Sequence, residues 1–176
     1  MGIGESTDSQ LVVFIAYMMI PLAYLLGALP SGYIIGRISK GIDIREHGSG
    51  KTGMSNVLRL IGKKAAVLVL LIDCSKGAFA VFLAQLLVGN PVVLVSVAIA
   101  VLLGHNYSVF IRFHGGAGVL TGVGTLFAFV PLAGIVAAVV GGLIILIFRY
   151  MSLGSMAGTL AAFVTAAYLW AFNDHE

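Results

Sequence analysis

The sequence predicts an all-α fold, a polytopic membrane bundle of about six spanning helices in a single domain, residues 1–176. Two observations carry this prediction. Hydrophobic residues make up 60% of the chain and charged residues only 10%, against about 25% charged in an ordinary soluble domain. The apolar residues also fall into long runs that match the ~20 residues a helix needs to cross a bilayer core. A soluble domain could not cover its surface with so few charges, so a water-soluble enzyme is excluded.

The first half of the chain predicts three spans. The first apolar run, Leu11 to Ile38, contains Pro30 and predicts one helix that is kinked or broken there. Residues 1–10 carry acidic but no basic side chains, so they lack the positive start of a signal peptide, and we expect an external tail. The second run, Ala65 to Val88, ends at a Gly-Asn-Pro turn, and the third runs from Val92 to about Leu103.

The long apolar run from Val119 to Phe148 holds 30 residues, or ~45 Å as a helix, which exceeds a bilayer core of ~30 Å. It predicts either one long span or two shorter spans hinged near Pro131. Charge favours two spans, because they place Arg149 on the same side as the basic segment 37–64. A last run, Met156 to Phe172, then leads outward, and both chain ends are expected outside.

Three polar segments interrupt these spans, and the predicted topology gathers them on the cytoplasmic side. They are the loops 37–64 and 105–118 and the short loop 149–155. Seven of the ten Lys and Arg residues lie in the first segment, which indicates either an orientation signal or an anionic partner. The convergence of polar loops on one face is the first indication of a binding site.

The first polar loop has the composition of a phosphate-binding site. Gly48 and Gly50 stand among hydroxyl side chains, an arrangement that lets several backbone N–H groups point into one concavity. Arg45, Lys51 and Arg59 are expected to surround this concavity with positive charge. The loop is not a Walker A motif, because that pattern needs glycine where Arg45 stands. A basic loop that only sets topology is the alternative, but it would not need this density of glycine.

The second polar loop is another glycine-rich turn that opens a helix. Gly115, Gly116 and Gly118 either let a helix start approach a phosphate or serve close helix packing, and the sequence leaves both open. His105 and His114 lack the spacing of a metal-binding pair, and no carboxylate or cysteine joins them. We therefore expect no metal ion and no cofactor.

Other polar residues lie within or beside the predicted spans. Asp73 and Lys76, three residues apart on one helical face, are expected to neutralise each other. A triad of Ser49, His105 and Asp73 can be drawn, but nothing in the sequence fixes its geometry. Ser155 either caps the last helix or gives its hydroxyl to a bound phosphate.

Several segments, taken together and in order, match the motifs of a known family. They are Gly27-Ala-Leu-Pro-Ser-Gly-Tyr33, Asp43-Ile-Arg-Glu-His-Gly-Ser-Gly50, Asn56-Val-Leu-Arg59, Leu71-Ile-Asp73 through Lys76-Gly77, Gly104-His105, Phe113 through Gly118-Val119, and Arg149-Tyr-Met-Ser-Leu-Gly-Ser155. With these motifs the chain resembles the bacterial acyl-phosphate:glycerol-3-phosphate acyltransferases, the PlsY family, over about residues 20 to 160.

This resemblance implies a small helical enzyme of the bacterial inner membrane whose active face is cytoplasmic. Its reaction would move a fatty acyl group from acyl phosphate to the 1-hydroxyl of glycerol 3-phosphate, giving lysophosphatidic acid in phospholipid synthesis. The expected partners are these two substrates and membrane lipids, and no nucleic acid. By position, the resemblance assigns catalysis to Ser49, Arg59 and Ser155. The motif positions expected to bind substrate are Gly48, Gly50, Asn56, His105, Gly115, Gly116 and Gly118.

The chain departs from the family at three places. Lys51 stands where the family has asparagine and Ala117 where it has a phosphate-facing lysine, so we expect Lys51 to bind substrate and to replace part of that charge. The family usually has a seventh span with a His and Asn motif, which residues 173–176 do not replace, so we expect a truncated chain or a divergent member. A non-catalytic membrane protein that binds lipid or anionic headgroups, and a small anion transporter, are the alternatives.

Overall fold

The computed structural model describes residues 3–173, and the all-α prediction is confirmed for that range. The described residues form eight α-helices and two short 3-10 turns, with no strand among them. The α-helices are α1 (Ile3–Ala28), α2 (Ser31–Lys40), α3 (Met54–Leu60), α4 (Lys63–Leu87), α5 (Pro91–Asn106), α6 (Val119–Phe129), α7 (Pro131–Phe148) and α8 (Met151–Asn173), and the 3-10 turns are Ile44–Glu46 and Val109–Ile111.

Five segments are long and apolar enough to cross a membrane. Large apolar side chains such as Val92, Leu146 and Trp170 lie on their outer surfaces, where they are 74%, 76% and 73% exposed. Exposure of this kind is unfavourable in water and suits contact with lipid. The protein is therefore a multi-pass membrane protein. The five segments are Val13–Lys40, Lys63–Leu87, Pro91–Ile111, Pro131–Phe148 and Met151–Phe172.

The long apolar run after Gly118 is divided into two helices near Pro131, but only the second is long enough to be one of the two predicted spans. α6 ends at Phe129, and Pro131 occupies the first position of α7. At that position a backbone N–H has no partner within the helix, so proline fits there without losing a hydrogen bond. α6 has only 11 residues, or about 16 Å of length, which is about half of a bilayer core. The predicted six spans are thus five full spans and one short helix.

α6 lies beside the second half of α4. A methyl group added at Gly77, near the middle of α4, would overlap the Thr121 carbonyl at the start of α6. Further along, the Gln85 amide donates a 3.1 Å hydrogen bond to the Ala128 carbonyl near the end of α6. The second polar loop, which leads into α6, therefore enters the bundle to the depth of the middle of α4.

The predicted break in the first span is confirmed between α1 and α2, at Leu29 and Pro30. Pro30 cannot continue the helix, so the Ala28 and Leu29 carbonyls at the end of α1 lack the partners that a continuous helix would give them. Other groups replace these partners: Lys76 Nζ and the Ser31 N–H each donate to the Leu29 carbonyl at 3.1 Å, and Ser108 Oγ donates to the Ala28 carbonyl. The break is thereby tied to α4 and to the segment after α5.

The segment 149–155, predicted as a loop, is mostly helical. α8 begins at Met151, so only Arg149 and Tyr150 connect α7 to α8. Gly154 does not break the helix because it packs closely against α7, where an added methyl group would contact the Gly141 carbonyl. Ser155 consequently lies in the second turn of a helix.

The other predicted boundaries also shift. α2 extends to Lys40 and α3 lies within the segment 37–64, so that segment is a loop only in part. Residues 3–10, expected as an external tail, form the first turns of α1. The expectations about residues 1, 2 and 174–176 lie outside the described residues.

Candidate active site

The first polar loop is organised around the side chain of Asn56, which is 1% exposed. Its Nδ2 group donates to the carbonyl oxygens of Ile44 at 2.9 Å and of His47 and Lys51 at 3.0 Å each. Its Oδ1 atom accepts a 3.1 Å hydrogen bond from the backbone N–H of Ser49. One amide therefore fixes the path of the chain from position 44 to position 51.

Two glycines let the chain turn tightly around this amide. Gly48 and Gly50 have φ values of +63° and +69°, in the left-handed region that glycine adopts at little cost. At Gly48 a side chain would also overlap the Asn56 amide. The turn leaves the Ser49 side chain exposed.

Arg45 does not supply free positive charge to this loop, contrary to the prediction from sequence. Its guanidinium donates to the Asp43 carboxylate at 2.7 and 3.0 Å, and its Nη1 donates to the Ile111 carbonyl at 3.0 Å. The hydrogen bond from Arg45 lowers the pKa of Asp43 from 3.8 to about 2, and that carboxylate in turn raises the pKa of Arg45. Arg45 thus joins the two polar loops, since Ile111 belongs to the second.

Lys51 and Arg59 are the positive charges left available in the part of the loop that surrounds Asn56, residues 44–59. Both side chains are exposed, and within residues 10–172 neither makes a hydrogen bond or an ion pair. Arg59 lies in the last turn of α3, three residues after Asn56, so the helix that buries the amide also carries the cation. Within residues 44–59, the exposed side chains without a partner in the described chain thus include one hydroxyl group, that of Ser49, and two cations, Lys51 and Arg59.

The second polar loop packs against the end of α5. Gly115 N–H donates to the Asn106 carbonyl at 3.1 Å, and Gly116 N–H donates to the His105 carbonyl at 3.0 Å. Both glycines are buried, and Gly118 takes a φ of +77° just before α6. These glycines serve close packing, one of the two roles left open. The first-turn N–H groups of α6, which follow them, have no partners within the helix.

His105 lies inside the bundle, beneath the second loop. The side chain is 7% exposed, and any side chain at Gly116 would overlap its ring. Its Nδ1 atom lies 3.7 Å from Asp73 Oδ1. The ring therefore packs against Gly116, and the expected role of His105 in binding substrate stays a prediction.

The Ser49, His105 and Asp73 triad does not assemble. Asp73 Oδ1 accepts a 2.7 Å hydrogen bond from Ser31, at the start of α2, whereas Ser49 is bound through its backbone to Asn56. In the described part of the chain no three His, Cys, Asp or Glu side chains are placed to hold a metal ion. The predicted pairing of Asp73 with Lys76 is confirmed at 3.0 Å.

Ser155 lies apart from both loops in the hydrogen-bond network. Its hydroxyl donates to the Ser152 carbonyl one turn earlier at 2.9 Å, a common arrangement for serine within a helix. No hydrogen bond in residues 10–172 connects it to the first or the second loop. The structure therefore brings together Gly48, Ser49, Gly50, Lys51 and Asn56 in one group, and His105, Gly115, Gly116 and Gly118 in another.

Two features of the site had no distinct signal in the sequence. The Arg45 bond to Ile111 spans 66 residues of chain, and no local pattern marks such a contact. Ser31 follows the Pro30 break, and its hydroxyl is a common partner at a helix start. It bonds instead to Asp73, 42 residues away.

Several known proteins are similar to this chain over most of its length. Residues 17–174 match the family model described as glycerol-3-phosphate acyltransferase. The chain is 40% identical over 149 residues to the glycerol-3-phosphate acyltransferase of Thermoanaerobacter sp., covering 85% of this chain and 75% of that protein. It is 45% identical over 148 residues to the enzyme of the same name from Thermus thermophilus, covering 84% and 74%.

Two solved structures share the fold. The crystal structure of PlsY (YgiH), an integral membrane glycerol 3-phosphate acyltransferase in its glycerol 3-phosphate form, superposes with a TM-score of 0.81 at 39% identity, covering 89% of this chain and 76% of that chain. The lysophosphatidic acid form gives a TM-score of 0.79 at 38% identity over the same shares. The chain belongs to the glycerol-3-phosphate acyltransferase family.

Proposed function

We propose that this chain transfers a fatty acyl group from acyl phosphate to the 1-hydroxyl of glycerol 3-phosphate, releasing lysophosphatidic acid and inorganic phosphate. The observation that carries the proposal is the loop held by Asn56, which presents Ser49, Lys51 and Arg59 without partners in the described chain. A loop of this kind suits phosphate, and both substrates carry one. Relatives named as glycerol-3-phosphate acyltransferases support the reaction.

The chemistry asks the protein mainly for positioning and charge stabilisation. The 1-hydroxyl oxygen attacks the acyl carbonyl carbon, the bond from that carbon to the phosphate oxygen breaks, and the departing phosphate accepts the hydroxyl proton. Because an acyl phosphate is already activated, no acyl-enzyme is needed. Ser49 has no adjacent base in the described chain, so we assign its hydroxyl to phosphate binding and not to nucleophilic attack.

The charges of the site follow from the same reasoning. Arg59 binds the departing phosphate through its planar guanidinium, and Lys51 balances part of the remaining phosphate charge. N–H groups at the start of α6, after Gly118, face anions favourably because of the helix dipole. Ser155, on α8, supplies a further hydroxyl that binds the substrate when the substrate extends from the loops to α8.

The acyl chain stays in the bilayer while the headgroups are held by the loops. We propose that these loops face the cytoplasm of a bacterial cell and that the membrane is the plasma (inner) membrane. Seven of the ten Lys and Arg residues lie in the segment 37–64, and such enrichment marks the cytoplasmic side. Acyl phosphate and membrane lipids are thus the apolar partners, and glycerol 3-phosphate is the soluble one.

Product analysis tests the proposal. The purified protein is incubated in lipid nanodiscs with palmitoyl phosphate and glycerol 3-phosphate, and lysophosphatidic acid is measured by mass spectrometry. We expect product from the wild type, a loss of at least about tenfold in Ser49→Ala, and no loss in Ser39→Ala, which removes an exposed hydroxyl from the end of α2. Bound glycerol 3-phosphate without any product would instead identify a non-catalytic binding protein.

A further inference from the structure

A cluster of charged and polar side chains is buried where α1, α2, α4 and α5 meet. The cluster consists of Ser31, Asp73, Lys76 and His105, which are 5%, 1%, 5% and 7% exposed. Asp73 Oδ1 accepts from Ser31 Oγ at 2.7 Å and from Lys76 Nζ at 3.0 Å, and it lies 3.7 Å from His105 Nδ1. One carboxylate oxygen thus faces a group from each of three helices.

Such a cluster is not an efficient way to stabilise a membrane bundle. Buried ion pairs often add no more stability than apolar residues of the same size, because both charges lose their hydration. Lys76 Nζ also donates a 3.1 Å hydrogen bond to the Leu29 carbonyl, at the break between α1 and α2. The cluster therefore fixes the geometry of several chain segments relative to one another.

One side of the cluster leads to the first polar loop. Ser31 begins α2, and the next residue, Gly32, lies so close to the Thr52 carbonyl that an added methyl group would overlap it. Thr52 is 3% exposed and directly follows Lys51. The hydrogen bond from Ser31 to Asp73 therefore holds the surface on which the end of the first loop rests.

The other side of the cluster leads to the second polar loop. The His105 ring lies against Gly116, and the His105 carbonyl accepts the Gly116 N–H at 3.0 Å. Gly116 is two residues before Gly118, which caps the start of α6. A shift of the His105 ring would displace the entrance of α6.

We infer that Asp73 is a positioning residue that sets the separation of the two polar loops, acting through Ser31 on the first loop and through His105 on the second. This inference rests on the proposed function, in which both loops hold phosphate groups of the reacting molecules. Each loop keeps its own internal hydrogen bonds, so loss of Asp73 leaves the binding of each substrate largely intact. Loss of Asp73 instead disturbs the alignment of the reacting atoms, and a misplacement of about 1 Å can cost about a hundredfold in rate.

Ser31 offers the cleanest test of the inference, because its substitution leaves the buried charges in place. We expect Ser31→Ala to lower kcat about tenfold to hundredfold while the dissociation constant for glycerol 3-phosphate changes less than about threefold. Ser31→Thr keeps the hydroxyl and should recover most of kcat. Thr165→Val, which removes a hydroxyl bonded within α8 at 2.8 Å, should leave kcat unchanged. A kcat per folded molecule that is unaltered in Ser31→Ala would overturn the inference.

A distance measurement separates this inference from the proposed function. Spin labels are placed at the exposed positions Glu46 and His114, one beside each loop, in a Cys74→Ala background. We expect a narrow distance distribution in the otherwise unchanged protein and in Ser31→Thr, and a broadened or shifted one in Ser31→Ala and in Asp73→Asn. Equal distributions in all four would refute the positioning role even in an active enzyme. A wild type that forms no product but shows the predicted broadening in its variants would refute only the proposed function.

Discussion

The side-chain oxygen of Asn56 lies 3.1 Å from the backbone nitrogen of Ser49 and accepts its hydrogen bond. The same amide donates to three carbonyl groups of the loop, so the loop is held in its binding shape before any substrate arrives. Preorganisation of this kind means that little binding energy is spent on ordering the loop.

Removal of the Asn56 amide should unfold the loop before it unfolds the protein. In Asn56→Ala the carbonyl groups of Ile44, His47 and Lys51 lose a donor; the first two keep a backbone donor, whereas the Lys51 carbonyl is left unsatisfied at a cost of about 1–3 kcal/mol. We expect rapid proteolytic cleavage within residues 44–53 while the spans remain protected. The measurement is limited proteolysis with mass spectrometry, and equal cleavage of variant and wild type would contradict this role.

Glycine at position 48 should be indispensable, whereas glycine at position 53 should not. Gly48→Ala forces a left-handed backbone on alanine, which costs about 1–2 kcal/mol, and its methyl group overlaps the Asn56 amide. Gly53 has a φ of −84° and open space around it, so Gly53→Ala is the matched control. We expect thermal unfolding and acyl transfer to be impaired in the first variant only. Equal behaviour of the two variants would show that the turn at position 48 is not required.

Lys51 should contribute to substrate affinity as a free charge. We expect Lys51→Ala to raise KM for glycerol 3-phosphate or acyl phosphate about two- to fivefold, the scale of one exposed charge contact, and Lys64→Ala to leave it unchanged. The double variant Lys51→Ala, Ala117→Lys should recover the affinity, because it places a cation in the second loop at the position where the family has lysine. Steady-state kinetics at fixed ionic strength measure both effects. An unaltered KM in Lys51→Ala would remove Lys51 from the binding site.

The ion pair between Asp43 and Arg45 predicts a pH dependence of stability. Because Arg45 lowers the pKa of Asp43 from 3.8 to about 2, the charged carboxylate stabilises the folded state fully above the unfolded pKa of 3.8. That stabilisation is lost as pH falls from about 4 towards 2. We therefore expect Asp43→Asn to lower the midpoint of thermal unfolding at pH 7 and to differ less from the wild type at pH 3. Glu46→Gln, an exposed acid in the same turn, is the control. A difference that stays constant with pH would exclude this ion pair as the cause.

The fold was largely predictable from sequence because the membrane imposes it. Long apolar runs must become helices, and the breaks at Pro30 and near Pro131 follow from the missing N–H of proline. The limits of α8 were not predictable in this way. Gly154 resembles a loop residue in the sequence, but it packs against α7 and lets the helix start at Met151.

The candidate site was predictable in its composition and less so in its contacts. The glycines of the first loop indicated a tight turn, but the sequence did not indicate that Asn56, expected to bind substrate, is the buried residue that holds this loop. The roles of Arg45 and His105 depended on tertiary structure. Arg45 pairs with Asp43 and reaches Ile111, and His105 is covered by the second loop. Neither burial nor a partner 66 residues away can be derived from local sequence.

Phosphate release tests the central claim most directly. The purified protein is given acyl phosphate with and without glycerol 3-phosphate, and inorganic phosphate is measured for the wild type, Arg59→Ala and the control Lys64→Ala. We predict release that requires glycerol 3-phosphate, that matches lysophosphatidic acid formed one to one, and that falls about a hundredfold in Arg59→Ala. Phosphate release that does not depend on glycerol 3-phosphate, or that is equal in Arg59→Ala and the wild type, would contradict acyl transfer at this loop.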